Sequence, residues 1–232
     1  MMRLDKLLVE LNIGTRSEVK ALLKKGLILV DGQVAKKPEE KIDENTVVIT
    51  YQGKEYTYKQ FHYYVMNKPK GVITATEDAH ERTVMDVFYS QCPDAPKGLS
   101  PVGRLDKDTT GLLLITNDGQ LAHDMLSPKK HVDKTYFVTL DGDLSDEDVK
   151  ALEAGVYIGE GEPTAPATVQ YEGGNTCYIT IHEGKFHQVK RMFFAVGKNV
   201  VELKRTSFGN LVLDEEKLPL GHINEVKCES FY

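Results

Sequence analysis

Apolar residues near the start of the chain recur with helical spacing. Four leucines stand at positions i, i+3, i+4 and i+7 and form one apolar stripe: Leu4, Leu7, Leu8 and Leu11. A second helix is predicted from about residue 15 to Gly26, since glycine readily takes the left-handed conformation that ends helices. The next segments, LILVDGQVA and TVVITY, predict three short strands, the first two joined by a tight turn at Asp31-Gly32. This pattern indicates a small α+β unit over residues 1–54.

Beyond residue 60, segments with the spacing of strands alternate with segments with the spacing of helices. The predicted strands are YYVMNK, GLLLIT, KTYFVTL and CYITI, and the predicted helices lie at VMDVFYS, at QLAHDML, after Ser145 and at FHQVKRMFFAV. No glycine-rich phosphate loop connects a strand to a helix, so an α+β sheet domain is favoured over a doubly wound nucleotide-binding fold. We therefore predict a second domain over residues 61–232 and a linker over residues 55–60.

The composition of the whole chain leads us to expect a soluble cytoplasmic protein. The 232 residues carry a formal net charge of −6, which by itself argues against a nucleic-acid partner, because proteins that bind phosphates are usually basic. The cysteines Cys92, Cys177 and Cys228 are widely spaced and predict free thiols. The sequence shows neither the apolar core of a signal peptide near its start nor a stretch of about 18 apolar residues that would span a membrane.

The charge is unevenly distributed along the chain, which weakens the argument against nucleic acid. Residues 1–37 have a net charge of +4 and residues 185–205 a net charge of +5, whereas residues 141–162 have a net charge of −7 and are expected to face away from RNA. On the second predicted helix, basic residues recur every four positions and form a row along one face: Arg16, Lys20 and Lys24. Such a row is typical of a solvated helix, but on a rigid unit it also suits phosphates.

The segment Gly103-Arg104-Leu105-Asp106 places a carboxylate beside a guanidinium on a loop, just before the apolar strand GLLLIT. A buried strand of this kind would hold the loop rigid, as a catalytic carboxylate requires. Taken alone, the same residues also fit a salt bridge or a turn cap. His182 and His187 stand in no HExxH motif and have no cysteine partner nearby, so we expect no metal site.

Two long segments resemble known families. The segment RLDKLLVELNIGTRSEVKALLKKGLILVDGQVAKKPEEKI resembles the S4-type RNA-binding domain in its RLDK start, its Thr15-Arg16-Ser17 turn and its V-DG-V hairpin. The segment GRLDKDTTGLLLITNDG resembles the signature of the pseudouridine synthases that act on ribosomal RNA. This second resemblance continues through KPKG, SPKKHVDKTY, GVYIGEGEPTAPA and EGKFHQVKRMFFAVGKNVVELKRTSFGNLVLD, and covers nearly all of residues 62–218. It implies a catalytic domain built on a mixed, mainly antiparallel sheet, which follows a small α+β RNA-binding domain.

The resemblance implies that the chain isomerises a uridine of ribosomal RNA to pseudouridine without a cofactor. Asp106 matches the essential aspartate of the family, Tyr136 the tyrosine that stacks on the base and is a candidate for proton transfer at C5, and Lys190 the basic partner of the aspartate, usually an arginine. The aspartate would add to C1′ or C6 of the nucleotide or remove the 2′ proton, and the sequence does not choose among these routes. By residue type alone, Tyr136 and Leu203 also fit a strand core.

Contacts to RNA are expected from nine further residues: Arg3, Arg16, Lys20, Lys24, Arg104, His187, Gln188, Arg191 and Leu203. The base must leave the folded RNA to reach a pocket, and the resemblance implies that Arg104 fills the vacated space or grips the neighbouring phosphate. It also implies that Leu203 packs against the flipped base. By charge alone, Arg104 also fits a salt bridge to Asp106 or Asp108.

The motifs FHQVKRMFFAVG and TAPA look more like the branch that modifies small-subunit (16S) rRNA than the large-subunit branch, which tends to read NRQVRRM. We expect a monomer whose partner is 16S rRNA or an assembling small subunit, and no membrane. A large-subunit target is the alternative. A catalytically silent assembly factor is a further alternative, but intact Asp106, Tyr136 and Lys190 argue against it. A hydrolase pairing Asp106 with His123 or His131 lacks a nearby serine or cysteine elbow.

Overall fold

The computed structural model describes residues 1–227, which divide into two compact units. The first comprises Met1–His62 with Asp94–Gly98, and the second comprises Tyr63–Pro93 and the residues from Leu99 onward. Cys92 and Cys177 are free thiols, as predicted, and Cys228 lies outside the described residues. Among the described residues, no helix combines the length and the apolar character needed to cross a bilayer.

The first unit follows the predicted order of helices and hairpin. Its elements are β1 (Met2–Arg3), α1 (Leu4–Glu10), α2 (Arg16–Lys24), β2 (Ile28–Val30), β3 (Gln33–Val34), β4 (Lys41–Ile42), β5 (Val48–Tyr51) and β6 (Lys54–Thr57). Thr15 and Glu18 form a capping box at the start of α2, and Asp31 and Gly32 turn the β2–β3 hairpin with positive φ angles. The leucines of α1 pack with α2 and an antiparallel sheet of order β3-β2-β5-β6, while β1 pairs with β4.

The prediction of a linker over residues 55–60 is wrong for its first part. Strand β6 pairs with β5 across a hairpin whose turn, Gln52-Gly53, has positive φ angles at both residues. It is the edge strand of its sheet, and three of its four residues are exposed. An exposed edge strand needs no apolar alternation, which is why the segment EYTYKQ carries no signal for a strand.

The second unit contains every strand and helix predicted for it. Its elements are β7 (Tyr63–Lys68), α3 (Val84–Gln91), β8 (Ser100–Pro101), β9 (Thr110–Thr116), α4 (Gly119–Leu126), β10 (Lys134–Leu140), α5 (Asp146–Ala154), β11 (Thr168–Gln170), β12 (Thr176–Ile181), α6 (Gln188–Ala195), β13 (Val200–Phe208), β14 (Leu211–Val212) and β15 (Ile223–Glu225). Capping boxes begin α3 at Thr83 and α5 at Ser145.

One large sheet organises the second unit. Its strand order is β11-β12-β10-β13-β9-β7-β15, with β14 paired to β13 and β8 paired to β9. The β9–β13 pairing is parallel and the other pairings are antiparallel, so the predicted mixed, mainly antiparallel sheet is confirmed. All residues of β7 and β9 are buried, because these central strands are covered on both faces. Strand β9 thereby anchors the loop that precedes it, which carries Asp106.

Candidate active site

Buried polar contacts hold the loop that carries Asp106. The Nζ of Lys68, at the end of β7, donates hydrogen bonds to the carbonyl oxygens of Asp106 (3.0 Å) and Thr109 (2.9 Å), and it contacts two further backbone carbonyls. The hydroxyl of Thr74 donates to the carbonyl oxygen of Leu105 at 2.7 Å and accepts from its amide at 3.1 Å. Lys68 and Thr74 are both buried. These contacts fix the backbone from which the Asp106 carboxylate projects.

Sequence reasoning assigned no role to Lys68. Burial lowers the pKa of this lysine to about 8, although the charges of Asp108 and Asp106 act in the opposite direction. Four backbone carbonyl oxygens surround the ammonium group, so the desolvated charge is hydrogen-bonded rather than paired with a carboxylate. The available signal was a lysine that ends the otherwise largely apolar strand YYVMNK.

The Asp106 carboxylate faces two basic side chains from the start of α6. Its Oδ2 lies 3.1 Å from Nζ of Lys190, and its Oδ1 lies 3.4 Å from Nε2 of His187. Lys190 also contacts Oδ1 of Asp108 at 2.6 Å. One ammonium group therefore bridges the two carboxylates of the loop, a single-point contact rather than the two-point fork that an arginine would form.

The bridge favours the charged forms of Asp108 and Lys190. The hydrogen bond from Lys190 lowers the pKa of Asp108. Burial acts to lower the pKa of Lys190, but hydrogen bonds to Asp108 and Asp106 outweigh it, and that pKa lies above its ordinary value. Lys190 therefore remains a cation beside Asp106 at neutral pH. This is the electrostatic environment in which a carboxylate acts as a nucleophile or base.

A cleft of about 630 Å³ opens beside Asp106 and Lys190. Tyr136 on β10 and Leu203 on β13 are buried side chains that line it. An aromatic ring and a leucine on the wall of a cleft suit a flat nucleobase. Arg104 also lines the cleft but is exposed, and it forms no ion pair with any residue that the structure describes, so the alternative of a salt bridge to Asp106 or Asp108 is wrong.

The histidines of the hydrolase alternative lie elsewhere. The ring of His131 faces that of His182, with centroids 5.0 Å apart, and His123 faces Asp124 at 3.5 Å. The histidine beside Asp106 is His187, which takes a left-handed conformation immediately before α6. Its ring stacks on Phe186 at 3.8 Å. The described residues contain no cluster of three side chains that could hold a metal ion.

Two residues predicted to contact RNA are engaged within the protein. Gln188 is buried, and its amide donates to Glu183 at 2.6 Å and accepts from the backbone of Lys185 at 2.9 Å. Gln188 turns inward because the turn before α6 needs partners for its backbone groups, and the Gln188 side-chain amide supplies one. Arg191 forms a salt bridge of 2.8 Å with Glu162. Its guanidinium lies at the surface but is already partly paired.

Of the predicted RNA-binding residues of the first unit, one is paired and three are exposed without an ion pair in the described part of the chain. Arg3 donates two hydrogen bonds to Asp5, at 3.0 and 2.8 Å, and this contact lowers the pKa of the aspartate. The three basic residues of α2 are exposed, whereas Val19 and Leu23 of the same helix are buried, and we call the three the α2 row: Arg16, Lys20 and Lys24. The α2 row is the stronger candidate for contact with phosphates.

The net charge of +5 over residues 185–205 does not form a basic patch free of carboxylates. Arg205 is buried, and the other five cations of the segment lie next to carboxylates, in the pairs Lys185–Glu183, Lys190–Asp106, Arg191–Glu162, Lys198–Asp148 and Lys204–Glu215. Two of these carboxylates, Asp148 and Glu162, belong to the acidic segment over residues 141–162, which was expected to face away. A sum over one segment omits the partners that folding brings from other segments.

Comparison with known proteins covers both units. A family model described as RNA pseudouridylate synthase matches residues 62–195, and a model described as S4 domain matches residues 2–48. The chain is 48% identical over 235 residues to the "Uncharacterized RNA pseudouridine synthase YtzG" of Bacillus subtilis, a match that covers 100% of this chain and 97% of the relative. It is 41% identical over 219 residues to the "Ribosomal small subunit pseudouridine synthase A" of Vibrio cholerae, covering 94% and 93% of the two chains.

A solved structure leads to the same result. The fold superimposes on that of a protein described as "Crystal structure of pseudouridylate synthase" with a TM-score of 0.67 and 34% identity, covering 100% of this chain and 98% of the other. The matches therefore extend over the sheet that carries the cleft and over the first unit. The chain belongs to the RNA pseudouridylate synthase family and carries an S4 domain at its N-terminal end.

Proposed function

We propose that this enzyme converts a uridine of small-subunit (16S) ribosomal RNA into pseudouridine. The observation that carries the proposal is the Asp106 carboxylate, held between Lys190 and His187 at a cleft lined by Tyr136 and Leu203. The name of the Vibrio cholerae relative, a small-subunit synthase, supports the choice of target. The S4 domain, with the exposed α2 row, supports a structured RNA as the substrate.

The reaction breaks the bond between C1′ of the ribose and N1 of uracil and forms a bond between C1′ and C5. The C5 proton leaves, N1 gains a proton, and no oxidant or reductant is needed. Asp106 adds to C1′, adds to C6 or removes the 2′ proton, and each route requires its ionised form. The Lys190 ammonium lies 3.1 Å from the Asp106 carboxylate.

The walls of the cleft have separate tasks in this proposal. Tyr136 stacks on the flipped uracil and places its hydroxyl to transfer the C5 proton, and Leu203 packs against the base. Arg104, exposed and free of carboxylate partners in the described part of the chain, occupies the space left by the base or holds the adjacent phosphate. The α2 row binds phosphates at a second place on the RNA.

Pseudouridine-specific chemical mapping tests the function. Unmodified 16S and 23S transcripts and partly assembled small-subunit particles are incubated with the wild type, with Asp106→Asn and with Asp143→Asn, which removes an exposed carboxylate of the acidic segment. We expect one new pseudouridine in 16S rRNA with the wild type and with Asp143→Asn. The rate with Asp106→Asn falls by at least roughly a thousandfold, since the group that reacts is removed.

Two outcomes would contradict the proposal. If the wild type forms no pseudouridine in any substrate, or if Asp106→Asn forms as much as the wild type, the assignment fails. If the new pseudouridine occurs only in 23S rRNA, the target belongs to the large subunit. Comparison of the transcript with the particles also shows which of them the enzyme recognises.

A further inference from the structure

A buried arginine, Arg205, lines the cleft and takes no part in the chemistry assigned above. It stands on β13 opposite Tyr136 on β10, and directly opposite residues of an antiparallel pair project from the same face of a sheet. Leu203, two residues before it, projects from that face as well. Tyr136, Leu203 and Arg205 all line the cleft. Only 2% of Arg205 is exposed.

The guanidinium of Arg205 is only partly hydrogen-bonded. Its Nε donates to the carbonyl oxygen of Leu112 at 2.8 Å, and its central carbon lies 4.7 Å from the centre of the Phe208 ring. Its Nη2 is buried and has no hydrogen-bond partner among the described residues. A buried N–H group without an acceptor costs free energy, so a partly hydrogen-bonded guanidinium at the wall of a cleft has unused capacity for an acceptor that arrives with the substrate.

A second buried cation adjoins this arginine. Lys134 is 6% exposed and lines the cleft, and its Nζ donates to the carbonyl oxygen of Val132 at 2.9 Å. Burial lowers the pKa of Lys134, as does the charge of Arg205, and Asp133 acts in the opposite direction. Within the described part of the chain, neither Lys134 nor Arg205 forms a salt bridge, in contrast to the cations around Asp106. This face of the cleft therefore carries positive charge that no salt bridge of the described residues neutralises.

We propose that Arg205 is a further substrate-binding residue, whose guanidinium donates a hydrogen bond to a carbonyl oxygen of the target uracil. The proposal rests on the proposed function. Each of the three routes moves negative charge onto uracil oxygens: when the C1′–N1 bond breaks, its electron pair stays with uracil, and addition at C6 produces an enolate at O4. A guanidinium donor in a desolvated cleft stabilises that charge more than it stabilises neutral uridine. The positive charge of the Lys134 ammonium stabilises the same developing negative charge.

Sulfur substitution tests the hydrogen bond from the substrate side. Once mapping has located the target nucleotide, RNA is prepared by splinted ligation with uridine, 2-thiouridine or 4-thiouridine at that position. Sulfur is a poor acceptor, so the analogue with sulfur at the contacted position slows the single-turnover reaction of the wild type, by roughly ten- to hundredfold for a bond to a charged donor. In Arg205→Met, the ratio of the rate with uridine to the rate with that analogue falls to about one. The corresponding ratio for the other analogue is the same in both proteins.

Matched variants separate this contact from structural effects. Lys204→Met changes the neighbouring residue, which projects from the other face and pairs with Glu215, and it should keep the wild-type ratio. Lys134→Met should slow uridine and both analogues by the same factor, because it removes charge but no contact. Each ratio is measured within one protein, so a reduced folded fraction cancels. If Arg205→Met does not fold, Arg205→Lys, which lacks the guanidinium, replaces it.

The outcomes distinguish this inference from the proposed function. A wild type that forms pseudouridine but shows equal rates for uridine and both analogues overturns the role of Arg205 and leaves the function intact. A thio effect that persists unchanged in Arg205→Met and Arg205→Lys also overturns it. A wild type that forms no pseudouridine in rRNA contradicts the function itself, and with it this inference.

Discussion

At the scale of single residues, the position of Asp106 depends on a buried lysine that takes no part in the proposed reaction. Lys68 gathers backbone carbonyls of the Asp106 loop around its ammonium group, including those of Asp106 and Thr109. Carbonyl oxygens offset part of the cost of burying the charge, and the pKa of Lys68 falls to about 8 as a result of the remainder. The catalytic role proposed for Asp106 would benefit from such a rigid support.

The lowered pKa of Lys68 predicts a pH dependence of stability. The folded protein releases this proton near pH 8, whereas the unfolded chain keeps it to the ordinary value of 10.5. The charged form opposes folding below pH 8, and this cost is relieved as the pH rises from about 8 to about 10.5, so stability increases with pH in that window. We expect the free energy of unfolding of the wild type to rise relative to Lys68→Met, by up to roughly 3 kcal/mol.

Urea denaturation at about pH 7.5, 9 and 10 measures this difference. Lys70→Met is the matched control, because Lys70 is exposed and pairs with the exposed Glu202. The control should follow the wild type at each pH. Parallel curves for the wild type and Lys68→Met would show that the ammonium is not desolvated as described.

At the scale of elements, the parallel pairing of β9 with β13 joins the Asp106 loop to the strand that carries Leu203 and Arg205. The pairing aligns Gly111 with Arg205. Gly111 has a φ angle of +103°, and a Cβ atom there would lie 2.3 Å from the carbonyl oxygen of Arg205. Only a residue without a side chain allows the two backbones to approach this closely. The two sides of the cleft therefore depend on one glycine.

Substitution Gly111→Ala should be strongly destabilising. It combines a strained φ angle with a clash against the β13 backbone, for which we expect a loss of roughly 3 kcal/mol or more and a large loss of activity. Gly119→Ala is the control, since Gly119 begins α4 and a Cβ atom there meets nothing within 4 Å. It should leave stability unchanged or raise it slightly, by about 0.5–1 kcal/mol. Thermal melts and the pseudouridine assay check both variants, and equal melting temperatures for the two would contradict the argument.

At the scale of the whole molecule, a net charge of −6 coexists with RNA binding because the charges are paired unevenly. The cations of residues 185–205 are buried or matched with carboxylates, several of them distant in the chain. The α2 row, in contrast, is exposed on its helix face. Electrostatic contact with phosphates is therefore expected to come mainly from this row and from Arg104.

Neutralisation of the α2 row should reduce both the RNA affinity and its salt dependence. If the three cations each neutralise a phosphate, the triple variant Arg16→Gln, Lys20→Gln, Lys24→Gln lowers the slope of log K against log salt by about 2 to 3. The control is Lys150→Gln, Lys217→Gln, Lys227→Gln, which removes the same charge from exposed positions of the second unit. Filter binding of the 16S transcript at several salt concentrations measures both slopes. A similar decrease in the two triple variants would mean that net charge alone matters.

Local pattern was sufficient for most of the fold. Periodic apolar residues, the Thr15 and Ser145 caps and the Asp31-Gly32 turn act over a few residues, so helices and hairpins could be predicted from short segments. Strand β6 was missed because an exposed edge strand has no such pattern. The roles of Asp106, Tyr136 and Lys190 came from family resemblance, since one acidic residue among 35 carries no chemical signal of its own.

Tertiary structure alone decided which charges are free, paired or buried. In the sequence, nothing distinguishes Lys68 and Arg205 from other basic residues. The fold buries Lys68 under the Asp106 loop, and it buries Arg205 at the cleft, where Nη2 has no partner among the described residues. Gln188 and Arg191 became engaged with Glu183 and Glu162. The physical reason is that secondary structure follows from neighbours in the chain, whereas desolvation and pairing depend on residues that only folding brings together.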